Sequence, residues 1–203
     1  MTDIIIRSYT PADKRATAAV LTEAFKNDPM LQYVFKNAED TLNAYISMQL
    51  ELNSGDNGAI DLAVNTHGEI LGVALWEAPN RPGSLAEDLK NIGTFMRMLG
   101  PRRFIRGVIQ ELTLLHYHPK FEHWYLNMIG VSTSARGLDV GTALLEHGIA
   151  RLDGVAAYLE SSTPDSAALY ARQGFVPVGG FGKRFPGTAM FYPAAMPKRS
   201  TKH

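Results

Sequence analysis

The chain has 203 residues, 45% of them apolar and 20% charged, with 20 basic side chains cancelled by 20 acidic ones. That length suits one domain with a sizeable core, and the balanced charge argues against the concentrated basic face that nucleic acid requires. Cysteine is absent, which removes disulfides, thiolate nucleophiles and Cys-ligated zinc together.

No apolar run reaches membrane-spanning length, and the N-terminus lacks a basic-then-apolar signal. A cytoplasmic protein that engages neither membrane nor nucleic acid is expected. Ile4 to Ile6 is a β-branched run and reads as a strand. Thr10, Pro11 and Asp13 then open a helix as N-cap, first helical residue and first-turn acid. It should stop before Asp28-Pro29, since the residue ahead of a proline avoids the helical region. A short helix over Leu31 to Phe35 and a longer one from Glu39-Asp40 toward Leu52 follow. Ala59 to Val64 and Ile70 to Trp76 flank a turn-rich segment and predict an antiparallel hairpin, ended by Pro79, Pro82 and Gly83.

Next come two helical stretches. Leu85, Leu89, Ile92, Phe95 and Leu99 share one face, and Ile105, Val108, Ile109 and Leu112 share another. Gly100-Pro101 separates them, with Arg97, Arg102, Arg103 and Arg106 around the break. A solvated helix pair accounts for these arginines, and a basic rim over a substrate pocket is the sharper reading. His123 to Val131 is a longer strand. A small-residue turn follows, and then apolar residues recur at helical spacing from Val140 to Leu152. Ala156 to Leu159 is a short strand, and Ser161 to Asp165 starts a helix that Gly174 closes. Phe175 to Val178 and Thr188 to Tyr192 are the last strands, and Lys198 to His203 reads as a frayed tail. The fold class is α/β (α+β): one sheet with helices on both faces, in a single domain over residues 1–197.

The turn from Val131 to Thr142 carries the chemistry. A strand, a small-residue turn and a helix start aim free N–H groups and the positive end of a helix dipole at one place, which suits a phosphate. It is neither a Rossmann nor a Walker loop, because no G-x-G-x-x-G occurs and Gly182-Lys183 lacks both the earlier glycine and the following Ser/Thr. What stands there is Arg136-x-x-Asp139-x-Gly141, five residues beyond Val131. Downstream lie Leu159-Glu160-Ser161-Ser162-Thr163-Pro164 and Leu169-Tyr170-x-x-Gln173-Gly174-Phe175, and upstream Ala24-Phe25-x-x-Asp28-Pro29. With these motifs the sequence resembles the GCN5-related N-acetyltransferases (GNAT). Within them it looks like the puromycin N-acetyltransferase branch and its histone-acetyltransferase-like relatives.

The resemblance implies a mixed, mostly antiparallel sheet of six to seven strands with a V-shaped splay between the fourth and fifth. It implies acetyl-CoA as co-substrate and no metal. Its pyrophosphate would sit on the amides of Gly137, Leu138, Asp139, Val140, Gly141 and Thr142 beside Arg136, with Ser166 also in contact. The pantetheine arm would pair with Ile129 and Val131 at a strand bulge, and an N–H near Met128 would hold the oxyanion. Asp139 stands where the family usually has glycine, and its carboxylate could compete for the amides unless it turns away. Tyr170 is the candidate acid for the departing thiolate, against a plain core role. Glu160, Glu77, Asp28 and His123 are candidates for the base, with Glu160 beside the splay. Asp28 and Trp124 are alternatively acceptor-site residues. His116, His118 and His123 lack metal-ligand spacing and a carboxylate companion, and Ser161 to Thr163 lack a nucleophile elbow.

The expected activity is transfer of an acetyl group to a primary amine by direct attack, with no acyl-enzyme on a cysteine. A small-molecule acceptor is expected, with residues 84–121 walling much of its pocket. A protein amine is the alternative within the class, and a non-catalytic acyl-CoA sensor the alternative outside it. The family's habits leave room for a homodimer.

Overall fold

The computed structural model describes residues 3–79, 92–182 and 186–194. The calls on Pro82, Gly83, Leu85, Leu89, Lys183 and the tail from Lys198 lie outside these residues. In chain order come β1 (Ile5–Ser8), α1 (Lys14–Phe25), α2 (Pro29–Phe35), α3 (Glu39–Leu52), β2 (Gly58–Val64) and β3 (Ile70–Glu77). Then follow α4 (Ile92–Leu115), β4 (Trp124–Val131), α5 (Val140–Arg151), β5 (Ala157–Ser161), α6 (Pro164–Arg172), β6 (Val176–Gly180) and β7 (Thr188–Tyr192). The seven strands form one sheet in the order β1-β2-β3-β4-β5-β7-β6. Only β4 and β5 run parallel, joined by the crossover helix α5, and the other neighbours are antiparallel.

Strand alternation sends side chains to two cores. Leu62, Val73 and Leu75 pack with Leu21 of α1 and Ile46 and Leu50 of α3. Ala63, Ala74 and Trp76 pack with Leu144 and Leu145 of α5. Each residue of β3 up to Trp76 is therefore buried, on one face or the other. A smaller cluster joins Met30, Leu114, Tyr158 and Phe181 beyond β5.

Local chemistry sets two boundaries. Helix α2 begins at Pro29 rather than Leu31, because Asp28 caps it: its Oδ1 accepts from the amides of Met30 and Leu31, each at 3.0 Å. Gly100 adopts φ 70°, ψ 163° and breaks α4 where Gly-Pro predicts it. The second half of α4 departs from expectation. Ile105, Val108 and Leu112 are exposed, and of that apolar face Ile109 packs inward, against the third cluster. The periodicity there marks a helix without marking a buried face.

The close approach of α5 to the sheet depends on Gly148. A Cβ there would stand 2.5 Å from the ring carbons Cε2 and Cζ2 of the fully buried Trp76. Gly148→Ala should lower stability by about 1–3 kcal/mol through overpacking. Urea unfolding measures this, and an unchanged midpoint would contradict the packing described.

Candidate active site

The site forms because β4 and β5 stay together for only part of their length. They pair at Trp124–Ala157, Tyr125–Tyr158 and Leu126–Leu159 and then part. Opposite, the β3–β4 register slips between Leu75–Met128 and Trp76–Leu126, leaving Asn127 as the extra residue of a bulge. The bulge turns Leu126 to the α5 core and Met128 to the α1 core. Asn127 itself donates from Nδ2 to Glu77 Oε1 at 2.5 Å, tying the bulge to the end of β3. A cavity of about 330 Å³ opens in the gap. Residues 126–131 form one wall, Glu160, Ser162, Thr163, Ser166 and Tyr170 another, and Asp28 at the α1–α2 elbow a third. Arg136 reaches it from the turn after β4. The expected bulge and splay are both present.

In that turn Gly137 has φ 81° and Asp139 φ 57°, two left-handed residues close together. The glycine takes this conformation freely, while Asp139 takes it at some cost in a place where glycine is at ease. Asp139 is the N-cap of α5, yet its side chain accepts no cap hydrogen bond. It is exposed. The competition expected of a capping carboxylate is therefore not made, and among the described residues no side chain occupies the first-turn amides of Val140, Gly141 and Thr142. Val140 is buried in the second core. Gly141 lies close to Leu169, whose Cδ2 would be 3.4 Å from a Cβ there. These contacts fix the helix start, so its amides and dipole form a preset anion site.

Glu160 and Tyr170 supply the titratable groups. Glu160 is on β5, two residues beyond the partner of Tyr125, so both side chains lie on one face. The Tyr125 hydroxyl donates to Glu160 Oε2. Burial pushes the Glu160 carboxyl up to about 7; the Tyr125 bond pulls the other way, and the charges of Glu111 and Glu77 push further up. Tyr158 stacks beside Tyr125, and its hydroxyl, also turned to Glu160, pulls that carboxyl down together with Tyr125. Glu160 is thus poised to exchange a proton near neutrality.

Tyr170 is placed by the start of α6. Thr163 caps that helix, its Oγ1 accepting from the Ser166 amide at 3.2 Å, and Pro164 is the first helical residue. Ser161, Ser162 and Thr163 thus serve as turn and cap, as their composition predicts. Ser166 also lies 2.7 Å, Oγ to Oγ, from Ser161. Tyr170 is 7% exposed and packs on Phe175 while facing the cavity. Burial, and then the charge of Asp28, push its phenol up, so it keeps its proton through the neutral range.

The other candidates fall elsewhere. Asp28 lines the cavity but is engaged as the α2 cap. Glu77 holds Asn127 and does not line the cavity. His123 is buried with Nδ1 2.6 Å from the Phe121 carbonyl, and burial lowers its basicity. Its neighbour His118 is pushed down to about 4 by burial and then by His123. Trp124 packs on the second core and does not line the cavity, because it lies where β4 is still paired with β5. No residue from 92 to 121 lines the cavity either, and 84–91 lie outside the described residues. Among the described residues the α1–α2 elbow supplies that side of the cavity. Tyr125, the hydrogen-bond partner of Glu160, carries no local sequence signal, since the contact spans 35 residues.

Among the described residues no group of three His, Cys, Asp or Glu is placed to hold a metal ion, and no helix is long and apolar enough to cross a membrane. The profile of the acetyltransferase (GNAT) family matches residues 63–175. A crystal structure from Corynebacterium glutamicum, described as histone acetyltransferase HPA2 and related acetyltransferase, is similar with 37% identity and a TM-score of 0.74, over 98% of this chain and 99% of that one. Arylalkylamine N-acetyltransferase 2 of Aedes aegypti shares the fold at 14% identity and a TM-score of 0.68, over 94% of this chain and 99% of that one. A probable serine/threonine-protein kinase of Dictyostelium discoideum is 25% identical over 164 residues, which are 71% of this chain and only 17% of that protein.

Proposed function

Because the chain belongs to the acetyltransferase (GNAT) family, we propose that it moves the acetyl group of acetyl-CoA to a primary amine on a small molecule. The observation that carries this reading is the splay: Glu160 and Tyr170 face one cavity, and an uncapped helix start stands at its edge. The residues fit the co-substrate. The amides from Gly137 to Thr142 with Arg136 suit a pyrophosphate. The parted edge of β4 at Ile129 and Val131 offers backbone partners to a pantetheine amide, and the Met128 amide is the oxyanion donor in this reading. Acetyl-CoA brings an activated thioester.

Glu160 accepts a proton from the acceptor amine as its nitrogen bonds to the acetyl carbon. When the carbon–sulfur bond breaks, Tyr170 gives the thiolate a proton. Cysteine is absent, so the acetyl group has no thiol to rest on and direct transfer follows. A cavity of about 330 Å³ suits a small acceptor, and the mosquito protein sharing the fold is described as acting on arylalkylamines. A protein amine is the second reading, favoured by the histone acetyltransferase description of the 37% identical relative.

The test is incubation with acetyl-CoA and a panel of amines and lysine peptides, with free thiol followed. Release with amines supports the proposal, release with peptides alone moves it to protein substrates, and tight CoA binding without release for any acceptor would refute transfer. Asp139→Gly should tighten CoA binding about threefold, by removing a negative charge beside the pyrophosphate and relieving the left-handed backbone. Calorimetry showing weaker binding would contradict the assignment of this loop.

A further inference from the structure

A second cavity, of about 630 Å³, lies at the other end of α2, where Lys36, Arg102, Arg103 and Arg106 surround the Gly100-Pro101 break. Among the described residues no carboxylate lines it. The ion pairs at Arg7–Asp13, Lys14–Glu51 and around Asp61 lie elsewhere. Four like charges around one cavity repel each other, and exposed cations usually relieve this by spreading into solvent.

Here two of the four, Arg103 and Arg106, are held in place. Arg103 is half-buried, and its Nε donates to the Phe35 carbonyl at 3.1 Å. The Arg106 guanidinium sits 6.0 Å from the centre of the Tyr33 ring. Lys36 ends α2 in a left-handed conformation, φ 43°. The carbonyl that fixes Arg103 belongs to the residue before Lys36, so α2 and α4 are joined through the basic groups themselves. Fixed guanidiniums with free donor edges match phosphate oxygens, and their repulsion falls once an anion is among them. The cavity is much larger than one phosphate, which leaves room for the rest of a small molecule against its apolar floor at Leu99.

We infer that Lys36, Arg102, Arg103 and Arg106 form a binding site for a phosphate-bearing small molecule, separate from the β4–β5 cavity. Helix α2 runs from one cavity to the other, and its seven residues span about 10 Å. The phosphate therefore has two sources of the same chemistry: a free phosphorylated ligand, or the far end of an amine acceptor lying along α2.

Calorimetric titration of the full chain with inorganic pyrophosphate at low ionic strength tests the site. Saturable binding is expected. It should weaken about tenfold or more in Arg102→Ala/Arg106→Ala and persist in Arg136→Ala, which alters only the turn after β4. The single variant Arg102→Glu, at an exposed position, should show the same loss with an unchanged thermal midpoint. No saturable binding, or binding lost only in Arg136→Ala, would overturn the inference. Thiol-release kinetics with amines bearing or lacking a terminal phosphate then separate the sources. A KM raised only for phosphorylated amines in the double variant identifies the acceptor, and a uniform KM identifies a free ligand. Absence of thiol release altogether counts against acetyl transfer and leaves the binding result standing.

Discussion

Glu160→Gln should lower acetyl transfer by about 10²–10⁴-fold while leaving acetyl-CoA binding intact. The amide keeps the shape of the carboxyl and still accepts from Tyr125, but it cannot take a proton from the amine. The pH profile distinguishes this from a packing defect. In the native chain Glu160 titrates at about 7, raised from 4.5 chiefly by burial. A base works when deprotonated, so kcat/KM should rise through pH 7 and level off above it. The variant should lose that limb, and a residual rate that keeps it would show that another group is the base. Stability should move the other way. A carboxyl whose folded value is raised favours the folded state fully below about 4.5, and this is lost as pH rises through about 7. Glu160→Gln should therefore gain stability at pH 8, on the order of 3 kcal/mol, with the gain shrinking toward pH 4.5. Urea unfolding at the two pH values measures it, and equal shifts at both would contradict a buried, charged carboxylate.

Tyr170→Phe should cut turnover by at least about tenfold with CoA affinity unchanged. The ring would still pack against Phe175 in the second core, so the fold has little reason to change. Among the described residues no hydrogen bond of the Tyr170 hydroxyl is recorded, and the side chain lines the cavity. Removing the hydroxyl strips one proton donor from the step that releases the thiol. Acyl donors with better leaving groups should recover part of the rate. Full turnover with the ordinary thioester would leave Tyr170 with a packing role alone.

The two predictions fall on residues that differ in how they can be read. Tyr170 sits in a contiguous run with Leu169 and Gly174-Phe175, and each part of that run has a local cause: a cap at Thr163, a helical turn count and a left-handed Gly174 at φ 94°. Glu160 is one of several carboxylates near strand ends, and nothing adjacent to it separates it from Glu77 or Asp28. Its distinction comes from burial and from Tyr125, which reaches it across the β4–β5 pairing. Asp28 reverses the relation. Its place before Pro29 foretells a helix cap, and the structure uses it as one.

By itself the sequence determined the elements and the place of the small-residue turn between β4 and α5. Caps, prolines, glycines and hydrophobic periods act within a few residues, and the turn after Val131 is local backbone geometry of that kind. It also determined that Asp139 is out of keeping with its loop, though not that its left-handed backbone leaves the amides uncapped. Only the tertiary structure set Glu160 apart from the other carboxylates by burying it at the cavity, turned Trp124 to a core, and brought the α1–α2 elbow to the cavity wall. It alone gathered Lys36 with three arginines more than sixty positions later. Those outcomes depend on strand register, a one-residue bulge and the desolvation of single groups, and each is a property of pairs of segments distant in the chain.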